Sequence, residues 1–271
     1  MNWSKISIGA EGFFLFLLGA TPLERKLTPN KPTKVELGET KVDVQCYSLN
    51  EGGYIEETLR TLMRQPFYDS ENVTITVVDS KSSDRTVEIA EKYADRVWTA
   101  PRGKLNARDF ATRKTDADII VSTDADTLYP LGWLSHMLRP FQKPGVVAVH
   151  GPKLGRNTIW RPWRGWWSII LHKPFGVFSA TNSAFRRWAY LKTGGFDLSV
   201  NQTDWKDRNW WEWSYELKEE EERKFPERLK SVGRIEYVDV AVFTSDRHLP
   251  CSFVEGVVGL YNKQKTLGVK F

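Results

Sequence analysis

The sequence predicts an α/β fold, a parallel-type sheet flanked by helices, and three observations predict it. From residue 41 onward, short apolar runs rich in β-branched residues alternate with segments whose apolar residues recur at helical spacing. Acidic residues fall at the C-terminal ends of those runs, the end of an open α/β sheet where ligands bind. The clearest run, Ile119-Ile120-Val121-Ser122-Thr123-Asp124-Ala125-Asp126, is a buried-strand pattern that stops on two aspartates one residue apart.

Taken in order, residues 1–20 carry a single basic residue, Lys5, and an apolar stretch ending in Phe13-Phe14-Leu15-Phe16-Leu17-Leu18. It is too short to span a bilayer and is interrupted by Glu11. A signal peptide and a packed or membrane-surface helix are the two readings, and the helix fits the rest of the chain better. Residues 21–40, with three prolines, read as a linker, so residues 1–40 form an N-terminal extension to a single domain over 41–271.

Val42 to Ser48 reads as a strand, Asn50-Glu51-Gly52-Gly53 as a turn, and Ile55, Leu59, Leu62 and Met63 as one helix face. Thr74 to Val78 is the next strand, ending at Asp79, and Ser82-Ser83-Asp84 offers N-cap residues for a helix to about Ala94. A short strand near Val97 leads to Gly103-Lys104 and a helix through about Arg113. The Ile119 strand follows, then a helix carrying Leu131, Leu134 and Leu138, then a strand over Val146 to His150. Beyond this point the pattern loosens. Strands are expected over Ser179–Phe185 and Arg234–Val240, a turn at Gly194-Gly195-Phe196-Asp197, and helices over about Trp210–Lys224 and Ser252–Gln264. The acidic run Glu219–Glu222 reads as a solvated helix face.

Composition narrows the function classes. At 271 residues the chain buries one substantial core, and its net charge of +5 suits anionic ligands or an anionic membrane surface. No long basic run supports nucleic-acid binding, and no Gly-x4-Gly-Lys-Ser/Thr phosphate loop occurs. The two cysteines, Cys46 and Cys251, lack metal-site spacing; they allow one disulfide, but Cys46 in its apolar run reads as a buried thiol. Nine of the twelve tryptophans lie between Trp160 and Trp213. Around Ile169-Ile170-Leu171 they are interleaved with Arg161, Arg164, His172 and Lys173, the make-up of an interfacial helix. The same residues would also serve as core or as the wall of a carbohydrate groove.

The chemistry gathers at the strand ends. Glu51, Asp79 and the Asp124/Asp126 pair each follow a strand, so all should emerge on one rim of the sheet. Two carboxylates one residue apart suit one Mg²⁺ or Mn²⁺ that keeps positions for phosphate oxygens, although Asp-x-Asp after a strand is also an ordinary solvated turn. Lys104 and Arg108, one helical turn apart, could reach that rim as phosphate partners.

With Ser48-Leu49-Asn50-Glu51, Val77-Val78-Asp79-Ser80-Lys81-Ser82-Ser83-Asp84, Gly103-Lys104, Ala107-Arg108, Asp124-Ala125-Asp126, Thr181-Asn182-Ser183, Gly194-Gly195-Phe196-Asp197 and Thr244-Ser245-Asp246-Arg247-His248 in one order, the chain from Val42 to about His248 resembles family 2 glycosyltransferases of the GT-A fold. The resemblance implies a Rossmann-like mixed sheet, with a nucleotide-sugar-binding half over 41–150 and an acceptor half over 151–271. It implies transfer of a sugar from a nucleotide-sugar to the hydroxyl of a glycan or lipid-linked acceptor, usually with inversion, at the cytoplasmic side of a membrane or in the cytoplasm. Ser48, Asn50, Glu51, Asp79, Lys104, Arg108 and Asp124 would line the donor, and Asp124, Asp126 and His248 would hold Mn²⁺ or Mg²⁺. The chain departs from the family in having Asp79-Ser80 where paired aspartates are common. It also lacks two adjacent acids soon after Gly194-Gly195-Phe196-Asp197, so Glu212 is taken as the base, with Asp204 and Glu216 as alternatives. The competing reading is a carbohydrate-binding scaffold that kept the fold and lost catalysis. A nucleotidyltransferase would want a glycine-rich loop after the first strand, for which Asn50-Glu51-Gly52-Gly53 is a poor substitute.

Overall fold

The computed structural model describes residues 31–66, 68, 70–156, 178, 180–201 and 219–245. Its centre is β1 (Val42–Ser48), buried along its whole length because β2 (Val73–Asp79) and β4 (Ile119–Asp124) flank it in parallel. Alternate β1 residues serve opposite faces. Val42, Val44 and Cys46 join Ile55, Leu59 and Leu62 of α1 (Ile55–Met63) in the larger core. Tyr47 packs on the other face with Val78, Ala100, Ala107 and Ala111, beneath α3 (Lys104–Lys114), whose alanines let it approach closely. Cys46 is a buried free thiol, as its apolar run predicts, and burial pushes its pKa far up.

Between these elements lie α2 (Thr86–Tyr93) and β3 (Arg96–Thr99). The chain continues through β5 (Thr127–Leu128), α4 (Trp133–Leu138), β6 (Val146–His150), β7 (Lys153–Gly155), β8 (Ser183–Arg186) and α5 (Arg187–Lys192). A π-turn over Glu220–Lys224 then leads into α6 (Phe225–Lys230), β9 (Arg234–Tyr237) and β10 (Val242–Thr244). The main sheet has seven strands in the order β3-β2-β1-β4-β8-β6-β9. It is mixed: β8 runs antiparallel to both β4 and β6. A second sheet, β5-β10-β7, stands beside it.

Four sequence expectations change. The strand expected from Ser179 begins only at Ser183, and the one expected to reach Val240 ends at Tyr237. Leu131 lies outside the helix, exposed in the turn before α4. Residues 31–40, read as linker, are packed onto the domain: Val35 is in the core, and the Thr33 N–H donates to Ser135 Oγ at 3.0 Å.

This strap runs over Gly132, whose φ of +85° is left-handed and whose position leaves a Cβ only 2.8 Å from the Lys31 carbonyl oxygen. Gly132→Ala is therefore expected to destabilise the fold by about 1–3 kcal/mol, from strain and the displaced strap together. Chemical denaturation checks this, and an unchanged midpoint would show that the strap contributes nothing there.

Candidate active site

The strand register brings the acidic residues to one rim. Ser48 is paired with Asp79 and Tyr47 with Asp124, so the ends of β1, β2 and β4 lie side by side. The loops after β1 and β2 are laced together. The Asn50 N–H donates to Ser82 Oγ at 2.8 Å, the Ser83 N–H donates to Asn50 Oδ1 at 2.8 Å, and the Gly52 N–H donates to Asp84 Oδ2 at 2.9 Å. Asn50 and Lys81 both take left-handed backbone, with φ of 56° and 64°. Such strain persists only where surrounding contacts over-determine it, and it clusters at functional sites.

Within this rim Asp79 is buried, accepting from Ser48 Oγ at 3.1 Å, the Ser82 N–H at 2.8 Å and Ser82 Oγ. Ser48 and Asn50, expected along the donor, thus also shape the loops that carry Asp79. Glu51 is nearly buried at the start of α1, its N–H donating to Thr86 Oγ1 at 2.8 Å.

Asp124 is the hub. Its Oδ1 lies 2.7 Å from Arg108 Nη2, and its Oδ2 accepts from Thr181 Oγ1 at 2.6 Å. Its side chain keeps 25% exposure. Burial pushes the Asp124 carboxyl up, but the charges of Arg108 and Lys104 and the Thr181 hydroxyl outweigh it, with Lys153 adding to them, so it is held below its ordinary value.

Arg108 is 2% exposed. Its guanidinium lies 4.3 Å above the Tyr47 ring, bonds Ser122 Oγ, and places Nε 3.0 Å from Glu221 Oε1. Lys104 Nζ meets the other oxygen of Glu221 at 2.7 Å. The two cations expected to reach for phosphate are thus engaged by carboxylates, Lys104 half-exposed and Arg108 enclosed.

Asp126 sits on the second sheet. Its carboxylate accepts from Thr127 Oγ1 at 3.2 Å and Thr244 Oγ1 at 3.5 Å, and its carbonyl takes the Ser245 N–H at 3.2 Å. Among the described residues no group of three or more His, Cys, Asp or Glu side chains is arranged to hold a metal. Among the described residues, two carboxylates set among threonine hydroxyls are a hard-oxygen donor set. That suits Mg²⁺ or Mn²⁺ completed by phosphate oxygens. His248, Glu212, Asp204, Glu216 and the tryptophan-rich segment lie outside the described residues.

The acidic run is the main correction. Glu220 and Glu221 are buried, at 0% and 2% exposure, where a solvated face was expected. Glu220 accepts the Asp197 N–H at 2.8 Å and pairs with Arg228. Glu222 is 14% exposed and its Oε1 lies 4.0 Å from Nζ of Lys153, the β7 lysine that also acts on Asp124. Glu221, Glu222 and Lys153 are therefore site residues that sequence reasoning missed. One signal was available: Glu221 precedes Phe225 and Leu229 by four and eight residues, which puts it on their buried face. Lys153 carried none.

Comparison with known proteins gives the family and the fold. The family model described as glycosyl transferase family 2 matches residues 47–243. The hyaluronan synthase of Streptococcus pyogenes is 29% identical over 167 residues, which is 56% of this chain and 39% of the synthase. A probable glycosyltransferase of Bacillus subtilis, YdaM, is 27% identical over 184 residues, 58% of this chain and 43% of its own length. This chain thus matches about two-fifths of the length of these relatives. Among solved structures, the mannosyltransferase PcManGT from Pyrobaculum calidifontis, in complex with GDP-Man and Mn²⁺, superposes with a TM-score of 0.61 at 21% identity, covering 98% of this chain and 75% of its own. Glucosyl-3-phosphoglycerate synthase from Mycobacterium tuberculosis, with Mn²⁺, UDP and glucosyl-3-phosphoglycerate, gives 0.54 at 17% identity, over 90% and 89%. Staphylococcus aureus TarS 1–349 with UDP-GlcNAc gives 0.57 at 19%, over 78% and 60%. At these identities the likeness is one of fold, the GT-A fold.

Proposed function

Because the chain belongs to glycosyl transferase family 2, we propose that it moves a sugar from a nucleotide-sugar to an acceptor hydroxyl, with inversion and with Mn²⁺ or Mg²⁺ at Asp126. The observation that carries this reading is the rim at which β1, β2 and β4 end, where Asp79 and Asp124 pair with consecutive β1 residues, Glu51 and Asp126 follow in the adjoining loops, and Lys104 and Lys153 act on Asp124. The nucleoside lies against the laced loops that hold Glu51 and Asp79. Asp124, oriented by Arg108 and Thr181, would contact the ribose and the metal, and Asp126 would be the principal residue to hold the metal. When bound, the metal neutralises charge growing on the leaving nucleoside diphosphate.

For the proton of the attacking hydroxyl the proposed acceptor among the described residues is Glu222, whose Oε1 lies 4.0 Å from Nζ of Lys153, the lysine whose charge also acts on Asp124. Glu212 remains the base suggested by the resemblance. The neighbouring structures with GDP-Man, UDP-GlcNAc and UDP support a nucleotide-sugar donor without selecting the base. The acceptor is a glycan or a lipid-linked sugar. Peripheral membrane contact through the segment around Ile169-Ile170-Leu171, at a cytoplasmic face, goes with a lipid-linked acceptor; among the described residues no helix is long and apolar enough to cross a membrane.

Calorimetric titration with UDP, GDP and CDP, each with and without Mn²⁺, tests the reading on wild type and Asp126→Ala. One diphosphate is expected to bind wild type in a metal-dependent way, and the metal-dependent part is expected to vanish in Asp126→Ala with the fold intact. No binding to any of the three, or an Asp126→Ala variant that keeps metal-dependent affinity, would overturn it; the former outcome is that of the non-catalytic scaffold.

A further inference from the structure

Glu220, Glu221 and Glu222 are consecutive, yet each meets a different partner. Glu220 meets Arg228 and the Asp197 N–H, Glu221 meets Lys104 and Arg108, and Glu222 meets Lys153. The backbone here is a π-turn, Glu220–Lys224, a rare form that recurs at functional sites. Buried carboxylates are costly unless well paired. The Glu220 pairs close within the acceptor half, between α6 and the loop at Asp197. The Glu221 pairs cross to α3 of the donor half.

We propose that Glu221 is a positioning residue for the transfer reaction. From the turn that also carries Glu222, it fixes Arg108, and through Arg108 the Asp124 carboxylate. The guanidinium is contacted on every side: Nε lies 3.0 Å from Glu221 Oε1 as an ion pair outside hydrogen-bond geometry, Nη1 donates to Ser122 and the Ala180 carbonyl, Nη2 donates to Asp124, and its face lies over Tyr47. Without the Glu221 charge, the guanidinium and the Lys104 ammonium both turn to Asp124 and draw it inward, away from the donor. This inference rests on the donor site proposed above.

The test is calorimetry with MnCl₂ and whichever of UDP, GDP or CDP binds wild type, on Glu221→Gln and Glu220→Gln, reading Kd and stoichiometry separately. Glu220 is the control, equally buried and ion-paired but tied to Arg228. Loss of folded protein lowers stoichiometry in either variant, whereas displacement of Asp124 raises Kd. The expected result is a rise in Kd of about ten-fold or more in Glu221→Gln, the scale of one charge-assisted contact, with the wild-type Kd kept in Glu220→Gln. A wild-type Kd in Glu221→Gln, or equal rises in both variants, would overturn the proposal. Should Glu221→Gln fail to fold, the double variant K104M/E221Q, which removes one charge of each sign, is compared with K104M. A further rise of similar size is expected, and equal Kd values would count against the proposal. If wild type binds no diphosphate while Mn²⁺ is present, the donor-site reading itself fails and this inference falls with it.

Discussion

Arg108→Met is expected to lower the unfolding free energy by about 3–5 kcal/mol, the usual cost of removing one partner from a buried ion pair. The guanidinium is 2% exposed and lies between two carboxylates, Asp124 at 2.7 Å and Glu221 at 3.0 Å. Methionine refills part of the stem's volume but leaves Asp124 without its ion-pair partner at Oδ1, and leaves Glu221 with Lys104 only. The deficit should depend on pH, with a definite sign. In the wild type, burial raises the Asp124 carboxyl, but Arg108, Lys104 and the Thr181 hydroxyl outweigh it, so its folded-state pKa lies below the ordinary value of 3.8. A depressed folded-state pKa contributes stability that is present above the unfolded value and lost as pH falls through the folded one. Without Arg108 the largest of the opposing charges is gone, so the folded-state pKa rises and that contribution diminishes. The deficit of the variant relative to wild type should therefore shrink as pH is lowered from neutral toward about 4. Urea denaturation of both proteins across that range measures it. A deficit below about 1 kcal/mol, or one that grows in acid, would mean that the network is not the stabilising unit described here.

Why some of this was legible in the sequence, and some not, follows from how each feature is stabilised. Strands β1, β2 and β4 are central and buried on both faces, so their apolar runs stand out, and the carboxylates at their ends could be placed on one rim from spacing alone. The second sheet could not be found that way. Its strands Thr127–Leu128, Lys153–Gly155 and Val242–Thr244 are too short to carry a period, so neither the hydroxyl setting of Asp126 nor the place of Lys153 was foreseen. Residues 31–40 look like a linker by composition because backbone-level contacts, at Lys31, Thr33, Glu36 and Gly38, and only two apolar residues, Val35 and Leu37, hold the strap. The acidic run misled for a different reason. Charge content signals solvent only when the charges lack internal partners, and the partners of Glu220 and Glu221 lie at Arg228, Lys104 and Arg108, two of them more than a hundred residues upstream. We propose that the adjacent acids expected near Glu212 have their counterpart in this run.

That relocation gives the last prediction. Glu222→Gln is expected to reduce sugar transfer by about 10²–10⁴-fold, the contribution of a positioned general base, while metal-dependent binding of the nucleoside diphosphate stays at its wild-type value. The amide keeps the size of the side chain but cannot take the proton from the attacking hydroxyl, so the loss should fall on kcat and leave donor affinity alone. Glu212→Gln, the variant that the resemblance singles out, is the natural companion. A base at Glu222 requires that Glu212→Gln keep turnover far above that of Glu222→Gln, and the opposite ranking would move the base to Glu212. Equal loss of binding and turnover in Glu222→Gln would reduce Glu222 to a structural partner of Lys153. The first outcome fits the geometry best, because a base carried on the same turn as Glu221 has its distance to Asp124 set by the Glu221–Arg108–Asp124 chain of contacts. A proton acceptor and a donor carboxylate must keep a fixed separation for an in-line displacement, and a rigid ionic strut between their two elements supplies it.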